Sequence, residues 1–264
     1  MEIKFKDVEY NEFHNLNFTI SNDDITGIIG RNKSNILKII NADYIVDGTI
    51  TYNDIKLDST SQNDIRKKIS LVKEQFKIEP HLDTVQQYME FIIKYYKLVI
   101  KDINKKMLDS LKIVGLTSEY LDKSVSKLSS SERKLIQIAV SLLSNPEVIL
   151  LDEPFQKLDI KNTKKIIMLL TKLKDQYKKT IVIASNNSDI LYKYTTKMIF
   201  IKNNKIFLTG QTKEVYKKIE YLMRNKFEIP DIVLFTSKAV NEKKVHIDYH
   251  RDIRDLIKDI YKHV

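Results

Sequence analysis

The fold is decided by the stretch VILLDEPFQKLD, residues 148–159. A run of four apolar residues delivers Asp152 and Glu153 at the point where a strand would end. In an α/β fold this point lies at the carboxyl edge of the sheet, where ligand sites are built. In phosphoryl-transfer chemistry, Asp152 would help to hold Mg²⁺, and Glu153 would orient and deprotonate the attacking water. The competing interpretation is that Asp-Glu-Pro only ends the strand in a turn.

Outward from this stretch, apolar strands alternate with helices, which predicts an α/β fold with a mostly parallel, helix-covered sheet. The predicted strands are EIKFKDVEY (2–10), NLNFTI (15–20), TGIIG (26–30), ISLV (69–72), EVILLD (147–152), TIVIAS (180–185) and the hairpin MIFIKNNKIFL (198–208). The predicted helices are SNILKII (34–40), one long stretch from Thr84 to Val114, SERKLIQIAVSLL (131–143), NTKKIIMLLTKLK (162–174) and YHRDIRDLIKDIYKHV (249–264). A polar hairpin, GTITYNDIKL (48–57), is expected to turn at Asn53-Asp54.

The composition excludes several classes of protein. The chain of 264 residues contains no cysteine, which rules out a disulfide framework and a thiolate metal site. No run approaches the roughly 18 apolar residues that a membrane-spanning helix requires. The net charge is +10, but the lysines are spread along the whole chain rather than gathered in a patch. No nucleic-acid partner is therefore expected.

A second segment, LSSSERKLIQIAVSLL (128–143), precedes the Asp-Glu pair and is joined to its strand by SNPE. In this order and spacing, the two segments resemble the nucleotide-binding subunits of ABC transporters. LSSSE occupies the place of the family signature LSGGQ, VILLDE that of Walker B, and Leu158-Asp159 that of the D-loop. The resemblance implies a P-loop NTPase-like ABC ATPase fold over residues 1–222, with a mostly parallel core sheet, an antiparallel β subdomain and a helical subdomain at about 75–143. It also implies ATP and Mg²⁺ as cofactors.

The stretch GIIGRNKSN (27–35) occupies the place of the family's phosphate-binding loop, Walker A, whose form is G-x-x-G-x-G-K-[ST]. Aligning Gly30 before the loop and Lys33-Ser34 after it requires the loss of three residues, including both inner glycines. Three extended residues span about 10 Å, so Arg31 and Asn32 cannot form the usual nest of backbone N–H groups. What remains could hold an anion weakly or a nucleotide in an altered pose. The alternative is that Lys33-Ser34 only starts a helix.

The remaining nucleotide contacts are expected from the family pattern. Asn186 stands where the family has its switch histidine, and it can donate a hydrogen bond but cannot carry a positive charge. Tyr10 is expected to stack on adenine, with Phe13 an alternative that more readily packs in the core. Gln75 takes the Q-loop position, or Glu74 does so in a register one residue longer. The predicted site comprises Tyr10, Gly30, Arg31, Asn32, Lys33, Ser34 and Asn35 for the nucleotide, Glu153 and Asn186 for catalysis, and Ser34, Gln75 and Asp152 for the metal.

In this family two subunits sandwich two nucleotides, and each site takes its signature from the other subunit. The signature residues here are Ser129, Ser130, Ser131 and Glu132. The Ser129 hydroxyl could meet a partner's γ-phosphate, whereas Glu132 brings negative charge there. Ser129-x-x-Glu132 is also a capping box, which would stabilise the helix start by itself. Because Walker B is intact while Walker A and the switch are altered, the resemblance predicts a subunit that lends its signature to a partner while its own site is weak or inactive.

Residues 223–264 are expected to form an extension beyond the cassette. In its final helix, one apolar stripe could pack on the chain's own domain or pair with a partner subunit. The stripe consists of Ile253, Leu256, Ile257, Ile260, Tyr261 and Val264.

Placement and pattern of this extension resemble the energy-coupling factor (ECF) transporter ATPases. That resemblance implies a cytoplasmic subunit, peripheral on the cell membrane, which pairs with a second ATPase subunit and docks on a transmembrane component through its helical subdomain. The assembly would power uptake of vitamins or metal ions. The alternatives are an ATPase of another ABC importer or exporter, and a non-catalytic subunit that uses the fold only for assembly.

Overall fold

The structure, a computed structural model, describes residues 1–75, 82–243 and 247–263. Within these ranges ten strands form two sheets, and their bounds follow the predicted apolar runs closely. The strands are β1 (Ile3–Tyr10), β2 (Phe13–Ile20), β3 (Ile25–Gly30), β4 (Asp47–Tyr52), β5 (Ile55–Lys56), β6 (Ile69–Val72), β7 (Val148–Asp152), β8 (Thr180–Ala184), β9 (Lys197–Lys202) and β10 (Lys205–Gln211).

The larger sheet has six strands in the order β10-β9-β3-β8-β7-β6. The pairings from β9 to β6 are all parallel, and β10 is antiparallel at the edge. β7 and β8 are buried on both faces, which is why they read as continuous apolar runs. Neighbouring residues of β3 serve the two cores on either side, with Ile29 in one cluster and Ile28 in the other. The predicted parallel-rich α/β sheet is confirmed.

The smaller sheet is antiparallel, with the order β2-β1-β4-β5. The turn between β4 and β5 places Asn53 and Asp54 at φ 46° and 68°. Two successive positive φ values are the geometry of a type I′ hairpin turn, which asparagine and aspartate tolerate. The hairpin predicted at Asn53-Asp54 is confirmed.

Eleven α-helices surround the sheets in the described ranges. They are α1 (Lys33–Ile40), α2 (Gln62–Lys67), α3 (Val85–Tyr95), α4 (Ile103–Ile113), α5 (Ser130–Ser141), α6 (Ile160–Asp175), α7 (Ser188–Tyr194), α8 (Thr212–Tyr216), α9 (Ile219–Arg224), α10 (Asp231–Lys243) and α11 (Ile253–His263). None of them is both long and apolar enough to cross a membrane.

The stretch predicted to be helical from Thr84 to Val114 is not continuous, because the structure divides it into the two helices α3 and α4. Lys97 adopts a left-handed φ of 50°, which ends helical geometry. Asp102 then caps a new helix, since its carboxylate accepts a 2.9 Å hydrogen bond from the backbone N–H of Lys105. The apolar pattern runs across the break and therefore conceals it.

The C-terminal helices α10 and α11 pack on the main body of the chain. Val233 of α10 lies in the same core cluster as the large sheet. Just before α11, the Asp252 carboxylate forms a 2.8 Å ion pair with Lys193 of α7. Of the apolar stripe on α11, Leu256 is buried, Ile260 is half-buried, and three members are exposed, namely Ile253, Ile257 and Tyr261. Val264 lies outside the described residues.

Candidate nucleotide-binding site

The candidate site lies where the parallel strands β3, β8 and β7 end side by side. Asp152 at the end of β7 is in register with Ala184 at the end of β8. The backbone N–H of Glu153 donates to the carbonyl of Ala184 at 2.9 Å, and the N–H of Ser185 donates to the carbonyl of Ile28 at 3.0 Å. These bonds hold the residues that follow each strand next to one another.

A loop of only two residues, Arg31 and Asn32, joins β3 to α1. Gly30 before the loop has φ +130°, and a Cβ there would lie 2.1 Å from the carbonyl oxygen of Ile201. Only glycine satisfies both constraints. Asn32 has φ 60° and forms the N-cap of α1 without a capping side-chain bond. The helix therefore presents its N-terminal N–H groups without the usual side-chain acceptor, as an anion site requires.

The side chain of Asn32 turns away from its helix to two neighbouring turns. Its amide donates to Glu12 Oε1 at 2.8 Å and to Asn204 Oδ1 at 2.9 Å. The Asn204 amide donates in turn to Glu12 Oε2 at 3.0 Å. We call Glu12, Asn32 and Asn204 the loop cluster. It ties the shortened loop to the turn between β1 and β2 and to the turn between β9 and β10.

Glu153 is held by three groups at once. Its Oε1 accepts from the Lys33 ammonium at 3.0 Å and from the backbone N–H of Asn186 at 2.9 Å. Its Oε2 accepts from the Ser185 hydroxyl at 2.8 Å. Glu153 also has a left-handed φ of 42°, a costly conformation for a non-glycine residue that is often found at functional sites. Glu153, the candidate catalytic residue, is thus ion-paired with Lys33, the lysine expected to bind phosphate.

Asp152 lies beside the first turn of α1, where its Oδ1 accepts a 3.0 Å hydrogen bond from the Ser34 hydroxyl. Burial raises the pKa of Asp152, while the Ser34 bond and the Lys33 charge lower it. Carboxylate and hydroxyl oxygens are ligands that suit Mg²⁺, which also keeps waters and phosphate oxygens. Among the described residues no group of three or more His, Cys, Asp or Glu could hold a metal by itself. Ser34 and Asp152 fit a Mg²⁺ that arrives with a nucleotide.

One amide, Gln75, and one acid, Glu74, are the candidates for the Q-loop position. Gln75 is exposed, at the edge of the described range. The charge of Glu74 acts on both Asp152 and Lys134, where it raises the pKa of each. Both registers, with Gln75 or with Glu74 at the Q-loop position, therefore stay open.

The two aromatic candidates for stacking on adenine, Tyr10 and Phe13, have different surroundings. The ring of Tyr10 stacks on Tyr44, with centroids 4.5 Å apart and planes 18° apart. Phe13 is 1% exposed and belongs to the core cluster beneath the smaller sheet. Core packing of Phe13 is confirmed, and Tyr10 stays the predicted adenine contact.

The signature residues begin α5, and the predicted capping box is confirmed. The Ser129 hydroxyl accepts from the backbone N–H of Glu132 at 3.3 Å, and Glu132 Oε2 accepts from the N–H of Ser129 at 2.8 Å. Glu132 Oε1 also accepts from the Tyr120 hydroxyl at 2.7 Å and from the Lys123 ammonium at 3.2 Å. The bond from Tyr120, followed by those from Ser129, lowers the pKa of Glu132 to about 2. Ser130 is exposed and Ser131 half-buried.

Several residues of the site were not anticipated from the sequence. Ser185, which binds Glu153, directly precedes the switch position, and a small polar residue at a strand end could have suggested it. Glu12 and Asn204 lie in turns far from Asn32 in the sequence, and no local pattern marks them. Lys134 is the fifth residue of α5, and nothing in the sequence distinguishes it from the many other lysines.

Comparison with known proteins identifies the family of the chain. A profile of the ABC transporter family matches residues 13–156, which is more than half of the chain. The chain belongs to the ABC transporter family. The matched span contains the shortened loop, the signature segment and the Asp-Glu pair, so the motif assignments and the family agree.

Curated relatives of the chain include ECF transporter ATP-binding proteins. EcfA2 of Caldanaerobacter subterraneus subsp. tengcongensis is 29% identical over 248 residues, covering 88% of this chain and 87% of that protein. EcfA3 of Oenococcus oeni is 28% identical over 283 residues, covering 99% and 97%. The expected resemblance to ECF transporter ATPases is confirmed.

Solved structures support the same fold. The structure of cbiO1 from Clostridium perfringens, part of the ABC transporter complex cbiONQ, matches with a TM-score of 0.72 and 25% identity over 89% of this chain and 98% of that one. The dimeric ATP-binding cassette MJ0796, bound to ADP and Pi in a post-hydrolysis state, matches with a TM-score of 0.68 and 26% identity over 80% and 98%. The predicted ABC ATPase fold is confirmed.

Proposed function

We propose that this chain is an ATP-binding subunit of an ECF-type transporter that takes up vitamins or metal ions. It would work on the cytoplasmic face of the cell membrane, with a second ATPase subunit and a transmembrane component. The names of its relatives EcfA2 and EcfA3 support the subfamily. The cbiO1 protein, part of an ABC transporter complex, supports assembly into a larger complex.

The observation that carries the asymmetric part of the proposal is the 3.0 Å ion pair between Lys33 and Glu153. Lys33 is the cation that should meet the phosphates, and Glu153 is the base that should meet the water. Paired with each other, both are withdrawn from those tasks. The two-residue loop before Lys33 supplies fewer backbone N–H groups than a full Walker A loop. The chain's own site should therefore bind nucleotide weakly and hydrolyse it slowly or not at all.

If nucleotide binds, the chain's residues divide the work by chemistry. The N-terminus of α1, Lys33 and Arg31 would hold the phosphates, because all three offer positive charge. Ser34 and Asp152 would hold Mg²⁺, whose charge offsets that of the phosphates. Tyr10 would stack on adenine. Asn186 would donate a neutral hydrogen bond in place of the switch histidine.

The second half of the proposal concerns the partner ATPase. Ser129 at the start of α5 would face the partner's nucleotide, so this chain would complete the better of two sites. Its hydroxyl donates to Glu132 Oε2 at 2.7 Å and would have to be shared with a phosphate oxygen. Tyr120 and Lys123 donate to the other carboxylate oxygen, Oε1, and the Lys123 charge offsets part of the repulsion between Glu132 and an incoming phosphate.

Two exposed apolar surfaces suit the remaining contacts. On α3 and the segment after it, Tyr95, Tyr96 and Val99 are exposed, and we assign this surface of the helical subdomain to the transmembrane component. On α11, Ile253, Ile257 and Tyr261 are exposed at spacings of four residues, and we assign them to the partner subunit within the extension 223–264.

The test is calorimetric titration of the purified chain with Mg-ATP, using Lys33→Ala as the control. Weak binding that disappears in the variant supports a functional but impaired phosphate site. ATP turnover at an ordinary rate, lost in Glu153→Gln, would refute the impaired-site proposal. Affinity purification from the native cells, through a tag on this chain, should bring down a second ATPase and a transmembrane protein.

The Lys33–Glu153 pair also favours a second candidate, a non-catalytic subunit that uses the ABC fold for assembly alone. In that case no binding would be seen at millimolar nucleotide, and Lys33→Ala would leave transport unchanged. Ser129→Arg would still impair transport, because the signature acts in the partner's site.

A further inference from the structure

Lys134 on α5 is an unusual residue for this chain. In the part of the chain that the structure describes, it is the one Lys, Arg, Asp or Glu among the buried residues, with 5% of its surface exposed. Burying an ammonium group is costly unless hydrogen bonds and opposite charges compensate it. Its surroundings should therefore explain why a lysine stands there.

The ammonium of Lys134 is compensated first by the backbone. It donates to the carbonyl of Lys73 at 3.1 Å and to the carbonyl of Glu74 at 3.2 Å. These carbonyls follow β6, directly before the Q-loop position Gln75. One turn further along α5, the Gln137 amide donates to the same Lys73 carbonyl at 3.4 Å. One face of the signature helix thus grips the approach to the Q-loop.

The second compensation comes from the candidate metal and catalytic acids. The charges of Asp152, Glu74 and Glu153 favour the protonated form of Lys134. Burial acts in the opposite direction and is the larger effect, so the pKa of Lys134 falls to about 8. β6 pairs with β7, which brings the backbone gripped by Lys134 beside the strand that ends at Asp152. Lys134 therefore belongs to the helix that begins at the signature and hydrogen-bonds the Q-loop approach. Its charge also interacts with the charges of Asp152, Glu74 and Glu153.

We propose that Lys134 is a positioning residue that couples the signature helix to the nucleotide site of the same chain. Its ammonium fixes the Lys73–Glu74 backbone against α5, next to the strand that ends at Asp152. Movement at the Q-loop approach is thereby transmitted to the helix that carries Ser129. The coupling rests on the proposed function for its role in transport, since Ser129 acts there in the partner's site.

The structural claim is tested on the full chain alone by hydrogen–deuterium exchange. Three substitutions separate the contributions: Lys134→Met removes both charge and donors, Lys134→Gln keeps a shorter neutral donor, and Lys134→Arg keeps both. Lys127→Met, at an exposed position just before the signature, is the matched control. In Lys134→Met, peptides over residues 69–75 and over the first turns of α5 should exchange at least about tenfold faster, since a hydrogen bond from a charged donor is lost.

The outcomes decide the proposal directly. Local acceleration in both peptides that Lys134→Arg reverses, and that Lys127→Met does not produce, supports it. Unchanged exchange in Lys134→Met, or acceleration spread evenly over the whole core, overturns it. If Lys134→Met does not fold, Lys134→Gln is judged by the same criterion, and wild-type exchange in that variant overturns the proposal.

A second readout uses the complex purified through a tag on this chain. Lys134→Met should lower the kcat of ATP hydrolysis by about fivefold or more with little change in KM, and Lys134→Arg should restore it. An unchanged kcat in Lys134→Met overturns the transmitted coupling. If no ATPase partner is recovered, the proposed function fails, while the exchange experiment still decides the role of Lys134.

Discussion

Substitution of Glu153 by glutamine should tighten nucleotide binding to the isolated chain. Glutamine has nearly the same shape as glutamate, so its one carbonyl oxygen can still accept from the N–H of Asn186, while its amide NH2, in the place of Oε2, can donate to the Ser185 hydroxyl. It removes the charge that pairs with Lys33 at 3.0 Å. A lysine released from this pair becomes free for phosphate, and the expected result is a lower Kd.

The size of the effect follows from the burial of the pair. The side chains of Lys33 and Glu153 are 11% and 16% exposed, so solvent screens them less than a surface pair. Such a pair, held by one charge-assisted hydrogen bond, stabilises the closed arrangement by about 1–2 kcal/mol. The apparent Kd is the intrinsic Kd divided by the fraction of molecules with a free Lys33. Release of the pair should therefore tighten binding about 5- to 30-fold.

The assay is a calorimetric titration of the isolated chain with ADP in the presence of Mg²⁺. ADP is chosen because it lacks the γ-phosphate that this kind of site would transfer to water, so binding is measured without turnover. Glu147→Gln makes the same chemical change just before the other end of β7 and should leave the Kd unaltered. A Glu153→Gln protein that is folded but binds ADP no better than the wild type would refute the competition between Glu153 and phosphate for Lys33.

Three further predictions concern stability. Gly30→Ala should lower the free energy of unfolding by more than about 3 kcal/mol, because its Cβ would lie 2.1 Å from the Ile201 carbonyl oxygen, and chemical denaturation measures this. Glu132→Ala should lower it by about 1 kcal/mol through loss of the cap on α5 and should raise amide exchange at Ser129. The pKa of Lys134 is about 8 when folded against 10.5 for a free lysine, so the unfolded chain binds more protons in between. Stability should therefore rise from pH 8 to 10.5 by up to about 3 kcal/mol relative to Lys134→Met, as urea titrations at each pH will show.

Each of these has a matched comparison. Gly210→Ala adds the same methyl group at a glycine of β10, where the new Cβ would lie 3.0 Å from a methyl group of Val215 rather than against a backbone carbonyl. A loss as large as that of Gly30→Ala would contradict the steric argument. Glu119→Ala changes an exposed acid near the same subdomain and should cost much less than Glu132→Ala. Lys127→Met should keep the rise in the free energy of unfolding between pH 8 and 10.5. If Lys127→Met loses this rise as Lys134→Met does, Lys134 is not its cause.

The elements of the fold could be predicted from the sequence because their signals are local. The continuous apolar runs of β7 and β8 indicate strands buried on both faces, and Asn53-Asp54 is typical of a tight hairpin. The break between α3 and α4 was missed, because the left-handed φ of Lys97 has no counterpart in the apolar pattern. The apolar pattern does not predict helix α10, although Pro230 directly precedes it.

The candidate site was predictable in its members but not in its contacts. The motifs bring Lys33, Ser34, Asp152, Glu153 and Asn186 to one edge of the sheet, and the structure places these five together. Which atoms pair within that edge depends on distances that no motif encodes. The Lys33–Glu153 pair and the contacts that bury Lys134 involve residues far apart in the sequence. They can therefore be identified only from the three-dimensional structure.

The loop cluster has a consequence for how the site would respond to a ligand. Asn32 is already fixed by Glu12 and Asn204, at 2.8 and 2.9 Å, before any phosphate arrives. Little conformational entropy remains to be lost there on binding, and correspondingly little order can be gained. A loop that is equally ordered with and without nucleotide cannot report occupancy to the rest of the molecule. In this chain the shortened loop would be the constant part of the site, and any response to nucleotide would have to begin elsewhere, as at the Q-loop approach.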